Sequence, residues 1–128
     1  MERTFLVASS VSGALAVALG AFGAHGLRAY LAALPDGAQR RAWWDTAAHY
    51  HLIHAVALAI AAYLAGKIGG GPAVAAGYCW LLGTVLFSGS LYAMTLTGVR
   101  ALGAVTPFGG LSLIAGWVLL GVAAWRLP

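Results

Sequence analysis

TFLVASSVSGALAVALGAFGA, residues 4–24, contains no charged side chain. As an α-helix rising about 1.5 Å per residue, such a run matches the roughly 30 Å hydrocarbon core of a bilayer. It is a membrane span, and the rest of the chain repeats the pattern. Hydrophobic residues make up 62% of the sequence and charged residues 8%, against about 25% charged in an ordinary soluble domain. Mean hydropathy is +0.88. A water-soluble chain of 128 residues has too little interior to hide that much apolar surface, so lipid is the expected solvent. The length fits a single transmembrane domain, residues 1–128.

Three further apolar segments follow at about 47–66, 72–97 and 107–125, giving spans of about 4–24, 47–66, 72–97 and 107–125. Backbone groups in lipid must be bonded within the segment, so all four are expected to be helices. The fold class is therefore all-α: an integral membrane four-helix bundle with short loops and one longer interfacial first loop. Ala21-Phe22-Gly23 loosely fits a signal cleavage site. The run is long for a signal peptide, however, and Glu2 offsets Arg3, so the segment is read as a retained span.

In the first loop, Ala29–Leu34 suits a short interfacial helix and Pro35-Asp36-Gly37 breaks it. Asp36 and Gln39 have capping-box spacing, so the second long helix can begin near Gly37. Trp43 and Trp44 are then expected at headgroup depth. Pro107 suits the first turn of the last helix, with Thr106 as its cap. Ser9, Gly13, Ala16, Gly20 and Gly23 recur at spacings of four, three, four and three. Gly109, Ser112 and Gly116 form a similar stripe, and such stripes let helices approach closely in lipid.

Seven basic residues face three acidic ones, Glu2, Asp36 and Asp45. The basic residues are scattered, as membrane-flanking anchors are, and no nucleic-acid surface is expected. The positive-inside rule leans to cytoplasmic first and third loops, which carry Arg28, Arg40, Arg41 and Arg100. Cys79 is the single cysteine, which leaves no intrachain disulfide.

Alternating helix direction brings four polar stretches to one membrane level. They are GAHG at 23–26, AWWDTAAHYHLIH at 42–54, SGSLYAMT at 88–95 and TPFGG at 106–110. Ionisable groups at membrane depth are costly and tend to mark function. The candidate polar pocket is His25, His51, His54, Ser88, Tyr92, Thr95 and Thr106. Arg41, Asp45 and His49 follow one another at i, i+4 and are expected to form an interfacial ladder. His51 and His54 share a helix face that His49 does not. His25, His51 and His54 together form a possible ligand set for zinc or copper, and two of them for a haem iron. The leading alternative is that they hydrogen-bond across the bundle to Ser88, Ser90, Tyr92, Thr95 or backbone carbonyls.

GAFGAHGL at 20–27, W-x-x-A-x-x-Y-H-x-x-H from Trp44 to His54, LFSGSLY at 86–92 and TPFGGLSLIAGW at 106–117 resemble the YgdD/YwdK-like family. These are small four-span membrane proteins of unknown function, with a short mitochondrial homologue in animals. The resemblance covers nearly the whole chain. It implies a multi-pass protein of the bacterial inner (plasma) membrane and carries no catalytic assignment.

The expectation is a non-enzymatic membrane protein whose one-sided His/Tyr/Thr cluster braces the bundle or lines a small-solute or lipid-headgroup pocket. The alternatives are a metal- or haem-binding protein, a small transporter or channel, and a scaffold or assembly partner. No cofactor is expected on the leading reading; zinc, copper or haem belongs to the metal alternative. The partners are the lipid bilayer and either a second copy or another membrane protein.

Overall fold

The computed structural model describes every residue from Met1 to Pro128. Its elements are α1 (Glu2–Ala24), α2 (Arg28–Ala32), α3 (Gly37–Ile68), α4 (Pro72–Thr97), a 3₁₀ turn (Arg100–Ala104) and α5 (Thr106–Trp125). Four helices are long and apolar enough to cross a membrane. Pro72 opens α4, where its missing N–H has no helical partner to lose. The turn before it is Gly69-Gly70-Gly71, all at positive φ, which lets α3 and α4 reverse within three residues.

α3 is longer than its hydropathy indicates. Its 32 residues span about 48 Å, more than the roughly 30 Å apolar core. The residues from Gly37 to about Thr46 therefore extend α3 beyond the span expected at 47–66. The capping box does not form: Asp36 makes no side-chain cap, and its carboxylate accepts instead from Arg40 Nε at 3.0 Å. Thr106 is not a cap either. Its hydroxyl is turned toward α4, where it lies 2.7 Å from Ser90 Oγ.

The helices pack in chain order, α1 on α3, α3 on α4 and α4 on α5, with α2 folded against the start of α3. α1 and α5 thus form the two edges, and α3 and α4 the middle. Small residues make the contacts close. Ala57, Ala61 and Ala76 pack with Trp80 and Leu113 in one core cluster. At Gly109 a Cβ would collide with the backbone of Phe87, so only glycine allows α5 to approach α4 as it does.

Two buried indoles lock the edges to the middle in the same way. Trp80 lies where Gly116 of α5 leaves room for it, and its Nε1 donates to Leu113 O at 3.2 Å. Trp44 lies against Gly23 of α1 and donates to Leu19 O at 2.8 Å. Trp44 is therefore a core residue, buried with Leu27 and Leu31. It is not the headgroup anchor expected of it, because α2 folds over it. Trp43 is half-buried and packs against the Ala47–Leu91–Met94 cluster.

Candidate functional site

Some polar residues hold helices together, others face a cleft, and Ser88 does both. In the first group, Ser88 Oγ donates to Ala47 O at 2.8 Å, tying α4 to α3. Thr95 Oγ1 lies 3.0 Å from Arg40 O and 2.9 Å from Leu91 O. Arg40 Nη1 returns a bond to Thr95 O at 3.3 Å, so the start of α3 and the end of α4 are clasped from both sides. Its guanidinium lies over Gly98, whose φ of +72° also ends α4. Ser90 joins Thr106, and Ser112 donates to Cys79 O at 2.7 Å. Ser9 of α1 donates to Ala55 O of α3 at 2.8 Å. Bonds of this kind in membranes average about 0.6 kcal/mol each, so their main effect is to fix register.

His54 also belongs to the first group. Its Nδ1 lies 2.7 Å from Tyr50 O, which can only accept, so Nδ1 carries the proton. Nε2 is then the acceptor for Trp117 Nε1 of α5, at 3.1 Å. The network thus assigns the tautomer. The Trp117 ring also packs edge-on against Trp80, with centroids 5.0 Å apart.

His51 is different. Three residues back from His54, it is rotated enough to meet other helices. Nε2 lies 3.0 Å from Ser12 Oγ of α1, and Nδ1 lies 3.3 Å from Tyr92 Oη of α4. These three residues line part of a cleft of about 470 Å³ between α1 and α4, whose walls include Val11, Leu15, Leu81 and Val85. Tyr92 is held from behind by Trp44, with ring centroids 4.6 Å apart.

The hydrogen count along Ser12–His51–Tyr92 does not close. A neutral imidazole has one N–H and one lone pair. One hydroxyl donates to the lone pair, and the other accepts from the N–H. Whichever accepts keeps its own O–H hydrogen, and neither hydroxyl has a second partner within the chain. Thr84, on the same cleft wall, is another hydroxyl not bonded to any protein group. By contrast Thr95 and Thr97 bond back to their own helix at 2.9 and 2.7 Å. The cleft therefore presents at least two donors to whatever enters it.

The structure does not assemble the other expected groupings. His25 is exposed at the end of α1 and does not join His51 and His54. No three His, Cys, Asp or Glu side chains come together as a metal would require. Both nitrogens of His51 and of His54 already have partners. The three imidazoles therefore do not share one site in this structure. Helical wheels place side chains by angle, and the 60° between His51 and His54 sends them to α1 and α5 respectively. The ladder stops at its first rung: Arg41 Nε meets both oxygens of Asp45 at 2.9 Å, while exposed His49 packs on Tyr50. Ser12, Thr84 and Trp117 were not among the expected pocket residues. Ser12 lies just off the small-residue stripe of α1, three positions after Ser9.

Comparison with known proteins is consistent over most of the chain. Residues 19–110 match a family model described as a protein of unknown function, DUF423. The UPF0382 membrane protein YwdK of Bacillus subtilis is 42% identical over 123 residues, covering 95% of this chain and 96% of the relative. The UPF0382 inner membrane protein YgdD of Escherichia coli K12 is 40% identical over 132 residues, covering 98% and 92%. A Staphylococcus haemolyticus membrane protein of the same group is 37% identical over 127 residues, covering 97% of each. No solved structure matches. With four spans and these relatives, the chain is a multi-pass inner-membrane protein.

Proposed function

This chain belongs to the DUF423 family of membrane proteins, and on that premise we propose that it binds a neutral amphiphile in the cleft between α1 and α4. The apolar chain lies along Val11, Leu15, Leu81 and Val85, and an uncharged oxygen acceptor meets the Ser12–His51–Tyr92 row. The observation that carries this reading is the hydroxyl hydrogen that neither tautomer of His51 can satisfy. A polar hydrogen facing hydrocarbon is costly, and an ester or ketone oxygen satisfies it. A cleft of about 470 Å³ falls within the usual range of small-molecule sites.

The reading is non-catalytic. Ser12 Oγ and His51 Nε2 are within reach of each other, as a nucleophile and its base must be. The third member, however, is Tyr92, a neutral phenol. It does not stabilise the imidazolium that a general base becomes. The polar pocket expected from the sequence is thereby divided. Ser88, Thr95, Thr106 and His54 brace the bundle, and His51 with Tyr92 serves the ligand.

The test uses the protein in phosphatidylcholine vesicles with two photoactivatable probes of equal chain length, a methyl ester and a plain alkane. Cross-links are mapped by mass spectrometry. The ester is expected to label Val11, Leu15 or Val85 about three- to eightfold more than the alkane, as one to two membrane hydrogen bonds imply. Replacing the whole row, Ser12→Ala with His51→Leu and Tyr92→Phe, should remove that preference, because losing the hydroxyls alone leaves the His51 N–H free. Equal labelling by both probes in the unaltered protein would refute the reading and leave a groove that lipid tails merely wet.

A further inference from the structure

A second cavity, of about 400 Å³, lies between α2 and the start of α3, outside the apolar spans. Arg28 and Arg41 line it, together with Leu31, Leu34 and Pro35. Arg28 is exposed and makes no ion pair or hydrogen bond. Arg41 spends only its Nε on Asp45, which leaves both terminal nitrogens as donors. The two acids of this region are already matched, Asp36 to Arg40 and Asp45 to Arg41. Neither lines the cavity, so its charged wall is purely cationic.

We infer that this cavity binds the phosphate of an anionic membrane lipid, held between the guanidinium groups of Arg28 and Arg41. Planar guanidinium forks suit phosphate oxygens better than point charges do. Basic pockets beside membrane helices are known to hold such headgroups. The apolar wall of Leu31, Leu34 and Pro35 argues for a lipid, since inorganic phosphate gains nothing from it. Tyr30, half exposed on α2, places an amphipathic ring at the same level, where headgroups lie. Gly37 makes the cavity possible: a Cβ there would collide with the Leu31 carbonyl, so α2 folds onto α3 only over glycine.

The experiment places the protein in nanodiscs of phosphatidylcholine with a minority of phosphatidylglycerol and counts retained lipids by native mass spectrometry. Phosphatidylglycerol is expected to be enriched on the protein, and Arg28→Gln should lower that enrichment roughly fivefold. Because Arg28 bonds nothing, this variant tests the site without loosening the fold. Arg126→Gln, at the opposite membrane level, should leave the enrichment unchanged. Enrichment insensitive to Arg28 would overturn the inference. So would millimolar inorganic phosphate displacing the lipid, since that would make the cavity a site for the free anion.

Discussion

The two sides of α4 differ in kind. Toward α5 the helix is closed. Gly109 brings the backbones together, Trp80 fills the space beside Gly116, and Ser90 and Ser112 make bonds across the seam. Toward α1 the same helix borders an open cleft, where Gly89 has no atom near its missing Cβ and Thr84 has no partner in the protein. Both sides have the same composition of glycine, hydroxyls and apolar residues. What separates them is whether hydrogen bonds and volume are used up. Where both are, the residues hold the bundle; where neither is, they are available to a ligand.

The largest break of this contrast is Trp80→Ala. It removes the side chain that fills the α4–α5 seam and should cost about 3–5 kcal/mol, read as a lower midpoint when detergent-solubilised protein is unfolded by added dodecyl sulfate. Next comes the glycine pair. Gly109→Ala forces a methyl into the Phe87 backbone and should cost about 1–3 kcal/mol. Gly89→Ala meets open space and should leave the midpoint unchanged or raise it, by up to about 1 kcal/mol. Equal losses from both glycines would mean that the cleft closes in the membrane. Tyr92→Phe should shift the midpoint by less than about 1 kcal/mol and leave a preference for the ester probe, since Ser12 and His51 still hold one unpaired hydrogen between them. Smallest is Asp45→Asn, which removes an exposed ion pair and should move stability by less than about 0.5 kcal/mol. A larger loss there would show that the start of α3 is more deeply placed than its exposure indicates.

How much of this the sequence reveals depends on whether depth or rotation is being asked. Hydropathy reports depth, and α4 begins and ends at Pro72 and Thr97 as its apolar run does. For α3 hydropathy reports the span but not the helix. Arg40, Arg41 and Asp45 end the apolar signal, yet they continue the helix into the headgroup zone, where charges are welcome. Rotation is set by neighbours. The level shared by His25, His51 and His54 follows from chain direction, but their partners follow from which helix each meets. Trp44 reads as an interfacial anchor until α2 folds across it. Ser12 is one serine among three on an apolar helix. Only the position of His51 opposite it distinguishes it from Ser10, which bonds back to Leu6 O at 2.9 Å.

The cleft lies between two membrane-spanning helices, so an amphiphile of the kind proposed would reach it from the bilayer. A ligand arriving that way has already left water, and the concentration that governs occupancy is its mole fraction among the lipids. Diluting a vesicle suspension with buffer leaves that fraction almost unchanged, while adding host lipid lowers it. Saturation by the proposed ligand would therefore be plotted in mole per cent of the membrane. An apparent aqueous affinity would mostly measure how well the amphiphile partitions into the membrane.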